Sequence, residues 1–202
     1  MLIFTKKEED LLRKLNTPAK VQDFLNNLKF NFEENGETLK SPILTLRARR
    51  AHCIEGAILG AYVLSLHGFK PLILHLETTK NDFEHVIAPF KINGLWGALS
   101  KTNHTVLRYR EPVYKNIREL IMSYFHEYFL NNGQKTLRKY SRPLNLSIFE
   151  KGWEVEEGDL WGIDQELDKI KHYDIAPKKS TKNLRKAEKI EIKAGKITEW
   201  KK

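Results

Sequence analysis

Residues 85–101 read HVIAPFKINGLWGALSK. Two apolar runs, His85–Ile92 and Leu95–Lys101, flank Asn93-Gly94. An Asn-Gly pair between apolar runs is the strongest short hairpin signal, because both residues tolerate the positive φ of a tight turn. With a two-residue turn, Ile92 opposes Leu95, Phe90 opposes Gly97, Ile87 opposes Ser100 and His85 opposes Thr102. Opposed residues share a face of the sheet, as do residues two apart. His85 and Ser100 are then diagonal neighbours, about 7–8 Å apart by backbone and within side-chain reach. Thr102 stands directly opposite His85. Asn103 falls on the other face, unless a bulge at Pro89 or Gly97 reverses the parity.

Working outward, Pro71–Leu76 is a short apolar strand. Before it, Ala51 to Leu66 reads AHCIEGAILGAYVLSL and carries one formal charge, Glu55. A helix apolar on most sides is buried on most sides. Gly56, Ala57, Gly60 and Ala61 leave room for a close neighbour, and Gly68 stops the helix. Further upstream, residues 8–16 predict a short helix. Thr17-Pro18 opens a second one as N-cap and first helical position, and residues 31–42 read as a surface loop. Downstream, Val113 to Leu130 has the periodicity of an amphipathic helix ended by Asn132-Gly133. Residues 190–197 suggest a second hairpin, with Ile190 and Ile192 facing Ile197. Helices, one buried helix, an antiparallel sheet and more helix make an α+β chain.

Of 202 residues, 41% are hydrophobic, enough for a sizeable core. The 35 basic and 26 acidic residues give a net charge of +9. Residues 178–202 alone hold ten Lys/Arg against three Glu. The expectation is one domain over residues 1–177 and a basic tail over 178–202. The body is nearly neutral, so nucleic-acid binding is expected only weakly, through the tail. The single cysteine excludes an internal disulfide framework. No apolar run approaches the ~20 residues of a membrane span. MLIFTKKEEDLL turns charged after four residues, unlike a secretory signal. A cytoplasmic protein acting on no membrane is expected.

Cys53 has two readings. A lone cysteine in an apolar helix is ordinarily a small hydrophobe. In the first turn of a buried helix, however, free N–H groups and the helix dipole favour a thiolate, and Arg47, Arg49 and Arg50 add positive potential. A thiolate nucleophile needs a histidine. His85, opening a strand, is the best placed of seven. His52 adjoins Cys53, but helix neighbours project about 100° apart. His126 and His172 are expected on helix surfaces, and His75 in a strand. Glu55 is expected to be ion-paired with an arginine, or else to stand on the wall of a cleft, binding a substrate amine or positioning water. A zinc site from Cys53, His52, His85 and His104 lacks the close ligand spacing, so no metal and no cofactor are expected.

A cysteine opening a buried helix, then a histidine opening a hairpin strand, resembles the transglutaminase-like branch of the papain-like fold. That family reads as a G-x-C-like turn, then H-x-W/V, then W-x-x-x-D on the next strand. The matching pieces here are Ala51-His52-Cys53, His85-Val86-Ile87 and Trp96-Gly97-Ala98-Leu99-Ser100, within roughly residues 18–103. The resemblance implies a papain-like core and thiol-dependent acyl transfer on a peptide or amide substrate, hydrolysis first, with Cys53 as nucleophile and His85 as its acid and base. Two departures stand out. The family's acidic third residue falls on Ser100. The oxyanion-hole glutamine of papain-like proteases, six residues before the cysteine, is Arg47. Asparagine is the orienting residue in papain-like enzymes, which makes Asn103 the alternative to Ser100. The competing reading is a non-catalytic scaffold whose basic tail binds an acidic partner.

Overall fold

The computed structural model describes residues 2–201. Helix α1 (Lys6–Lys14) starts on a Thr5/Glu8 capping box, and α2 (Pro18–Asn26) starts where the Thr17 side chain accepts from the Lys20 N–H. Strand β1 (Lys29–Phe30), helix α3 (Pro42–Ala48) and strand β2 (Arg50–Ala51) follow, with β1 and β2 paired in parallel. Residues 31–41 differ from the expected surface loop. Asn31, Leu39 and Ser41 are buried, because this segment wraps the start of the next helix.

That helix, α4 (Cys53–Ser65), buries ten of its 13 residues. A Cβ at Gly56 would collide with Lys101 Cβ, so glycine is what allows the close approach to the sheet. The remaining elements are β3 (Leu72–Glu77), β4 (His85–Ile92), β5 (Leu95–Ser100), β6 (Arg110–Tyr114) and α5 (Ile117–Phe125). After them come β7 (Lys139–Ser141), β8 (Leu144–Asn145), α6 (Trp161–Lys169), β9 (His172–Asp174), α7 (Lys178–Thr181) and α8 (Lys189–Gly195). Seven strands form an antiparallel sheet ordered β6-β5-β4-β3-β7-β9, with β8 also paired to β3.

The β4–β5 hairpin has the expected register: Ile92 opposes Leu95, Phe90 opposes Gly97 and Ile87 opposes Ser100. Asn93 and Gly94 both have positive φ, 49° and 82°, as a two-residue turn of the primed type requires. An irregularity does occur between Trp96 and Ala98, but on the β6 side, which leaves the His85–Ser100 parity intact.

The sheet is covered on both faces. Ile73, Val86, Ala88, Phe90 and Leu99 pack with α1, α2, α4 and α6. Leu74, Leu76, Ile87 and Ala98 pack with Leu120, Ile121 and Tyr124 of α5. Adjacent residues thus go to opposite cores, as the two-residue repeat of a strand demands. The architecture is α+β. No helix among the described residues is long and apolar enough to cross a membrane.

Three elements differ from expectation. The single helix over 113–130 is strand β6 followed by the shorter α5. The Asn116 side chain accepts from the Glu119 N–H and sets the boundary, and Pro112 is tolerated on an edge strand. The hairpin over 190–197 is helix α8, opened by a Glu188/Glu191 capping box, and Ile190 is exposed. His172 lies in β9 rather than on a helix, and His126 is the exposed C-cap of α5.

Candidate active site

Cys53 is the first residue of α4 and is partly exposed. His52, the N-cap, has φ −93° and ψ −171°. Because His52 stands outside the helix in an extended conformation, the helical 100° separation does not apply to it. The structure corrects that expectation: both His52 and His85 act on the thiol. Burial alone would raise the Cys53 pKa. Hydrogen bonding from His52 and His85, together with their charges, outweighs it and holds the thiol well below its usual range. Burial likewise opposes the charge of His52, but the Cys53 thiolate, Glu55 and the Thr38 carbonyl raise its pKa to about 9. The His52 Nε2–H donates to the Thr38 carbonyl (2.8 Å).

His85 opens β4, and its Nε2 lies 2.8 Å from Ser100 Oγ. The Ser100 hydroxyl donates to the Leu107 carbonyl. Its oxygen therefore accepts from the His85 Nε2–H, which leaves Nδ1 as the ring nitrogen for the thiol. Two further devices hold this relay. Gln22 of α2 pairs with both backbone groups of Ser100, donating to its carbonyl (2.8 Å) and accepting from its N–H (2.9 Å). Leu107 adopts φ 59°, a left-handed conformation costly for a branched side chain, and its N–H donates to Glu127 (2.7 Å). Neither Gln22 nor Leu107 was visible as a site residue in the sequence.

Glu55 is fully buried and does not stand on a cleft wall. It accepts from Asn31 (3.1 Å), Thr38 (2.9 Å), the His52 N–H (3.1 Å) and both the N–H and Nζ of Lys40 (3.2 and 3.0 Å). Its partner is a lysine, not the expected arginine, because the loop over 31–41 brings Lys40 to it. Burial would raise the Glu55 pKa; the charge of His52 and the bonds from Asn31 and Lys40 lower it instead.

The remaining candidates stand elsewhere. Arg47 is engaged with Glu8 (2.8 Å) and the Ile3 carbonyl (2.9 Å), binding α3 to α1. Thr102 Oγ1 accepts from the His104 N–H (3.1 Å). Asn103 pairs with Trp200 backbone in both directions, at 2.9 and 2.8 Å. The C-terminal segment adds the Thr105 N–H donating to Ile197 (3.3 Å) and Thr105 Oγ1 donating to Ala194 (2.6 Å). It thus lies along the loop that carries Leu107. Among the described residues, no group of three or more His, Cys, Asp or Glu side chains is placed to hold a metal ion.

The thiol opens into a cleft of about 180 Å³ lined by His52, Cys53, His75, Glu84, Asp164 and Asp168, with apolar residues between them. A larger hollow of about 400 Å³, bounded by Glu77, Arg138 and Lys178, shares no residue with it. Cys53 and His52 line the smaller one.

No family model matches the chain. Part of it is similar to Tubulinyl-Tyr carboxypeptidase 1 of Mus musculus, 28% identical over 85 residues. That alignment covers 40% of this chain and 22% of the mouse protein. The chain therefore matches about a fifth of the length of that relative, which by its name is a peptidase.

Proposed function

We propose that the protein hydrolyses a peptide or amide bond through Cys53 and His85, on a transglutaminase-like, papain-like site. The observation that carries this reading is a single cysteine at the start of a buried helix, lining a cleft, with hydrogen bonds from His52 and His85 that favour its anion. Similarity to a protein named as a carboxypeptidase supports the same class of reaction.

In this mechanism the Cys53 sulfur attacks the substrate carbonyl carbon, and the C–O π electrons move onto oxygen. The Cys53 N–H, an unpaired donor of the first helical turn, faces that developing charge. His85 gives its proton to the leaving amine as the C–N bond breaks, which leaves a thioester. His85 then takes a proton from water as the water oxygen attacks the thioester carbon; the C–S bond breaks, which releases the acid and restores the Cys53 thiolate beside the protonated His85. Ser100 holds the ring in place through a neutral hydrogen bond. His52, charged up to about pH 9, supplies a positive field that stabilises the Cys53 anion.

The test is cleavage of fluorogenic peptide amides by the wild-type chain, Cys53→Ser and His85→Ala. Activity lost in both variants supports the proposal. Activity in neither chain nor variant, with Cys53 reacting no faster than a free thiol, favours the non-catalytic scaffold.

A further inference from the structure

The cleft around Cys53 is walled by carboxylates. Glu84 stands just before β4, and α6 contributes Asp164 and Asp168. These two are four residues apart, on one face of the helix, while Ile163 and Leu167 anchor α6 in the core. Like charges at this spacing repel and weaken a helix, so the arrangement is costly on its own. Burial and then the charge of Asp168 hold the Asp164 carboxyl above its usual range. Among the described residues, neither aspartate has a hydrogen-bond or ion-pair partner, and Glu84 has only His75 (2.8 Å). No lysine or arginine lines the cleft. The body outside residues 178–202 is nearly neutral, so the three carboxylates make the cleft a local acidic spot. His52 and His75 are the cationic or ionisable groups on the lining, and three carboxylates outnumber them, so a further cation brought in by an incoming molecule would relieve the remaining repulsion.

We infer that the acidic rim selects peptides with a lysine or arginine side chain next to the carbonyl that Cys53 attacks. This inference rests on the proposed role of Cys53 and adds the substrate class to it. The same field repels a free C-terminal carboxylate. The bond attacked is therefore internal, unlike the terminal one named for the mouse relative.

The test uses thiol reagents that need no turnover. Cys53 is treated with a neutral, a cationic and an anionic methanethiosulfonate: methyl, trimethylammonioethyl and sulfonatoethyl. The thiolate attacks the reagent's sulfenyl sulfur, a mixed disulfide forms and methanesulfinate leaves. Each rate is divided by that of the same reagent with 2-mercaptoethanol. The expected cationic-to-anionic ratio is at least about 10, as for a charged cleft that concentrates one sign of ligand. It should fall several-fold at 1 M salt and in Asp164→Asn/Asp168→Asn. A ratio near one, or a ratio that the double substitution does not change, overturns the inference while leaving the thiol's role standing. Failure of the neutral reagent to outpace a free thiol overturns the reading of Cys53 itself, and the inference with it. Peptide amides with arginine or glutamate before the cleaved bond provide the second arm. Arginine should be preferred by at least about tenfold in kcat/KM, and equal values would count against the inference.

Discussion

His85 Nε2 lies 2.8 Å from Ser100 Oγ, and the Ser100 hydroxyl in turn donates a hydrogen bond to the Leu107 carbonyl. This relay ends on a backbone oxygen instead of a side-chain carboxylate. Ser100→Ala should therefore fold and keep part of its activity, slowed by about 10- to 100-fold, the range for loss of an orienting partner. His85→Ala should lose more, about 10²- to 10⁴-fold, because it removes the acid and base. Steady-state kcat/KM on one peptide amide gives both values. Equal losses would mean that Ser100 does more than orient the ring.

The same relationship sets the outcome of restoring the carboxylate. An ionised aspartate at position 100 has no proton for Leu107, and it would set acceptor against acceptor in a buried place. Ser100→Asp should lose about 1–3 kcal/mol of stability rather than gain activity. Denaturant unfolding checks this. A variant as stable as the wild type and faster than it would contradict the serine-to-carbonyl geometry.

This relationship was legible because hairpin register is arithmetic once Asn93-Gly94 is read as a two-residue turn. Cys53 was legible from its place at the head of an apolar helix. Other parts of the site left no such trace. Helical spacing points His52 away from Cys53, yet as the N-cap it lies outside the helix. The acceptor at Leu107 is a main-chain oxygen presented by a left-handed residue, which no side-chain pattern announces. Asp164 and Asp168 come from a helix more than 100 residues further along, and only the folded chain brings them to the thiol. Asn103, attractive by analogy, holds Trp200 instead, because the bulge that would have turned it inward lies on the other side of β5.

Glu55 is a stability element. Its folded pKa lies below the unfolded value, so its contribution is present above about pH 4.3 and is lost as pH falls through the folded pKa. Glu55→Gln should cost about 1–3 kcal/mol at pH 7, since it leaves the Lys40 charge without its partner. The cost should shrink in acid. A loss that does not change with pH would show that shape, not charge, is what matters there.

The C-terminal segment should not be dispensable. Deleting residues 194–202 removes the Asn103–Trp200 pair and the bonds from Thr105. At ~1 kcal/mol or more in total, this predicts a melting temperature lower by at least about 2–4 °C. Activity should fall too, since the freed loop carries Leu107. An unchanged melting temperature would return residues 194–202 to the status of a loose basic tail.

His52 should tune the thiol. Its imidazole stays charged to about pH 9, so it stabilises the Cys53 anion throughout the neutral range. His52→Gln removes that charge and should move the midpoint of Cys53 alkylation upward by about one pH unit or more. An unchanged midpoint would leave His85 as the sole partner of the thiolate.

The most direct measurement is the rate of Cys53 alkylation by iodoacetamide between pH 4 and 10. A thiol held well below its usual range by two imidazoles should show a midpoint clearly below that of a free thiol. A midpoint at or above about 8.5, the value of an unperturbed cysteine, would contradict the account.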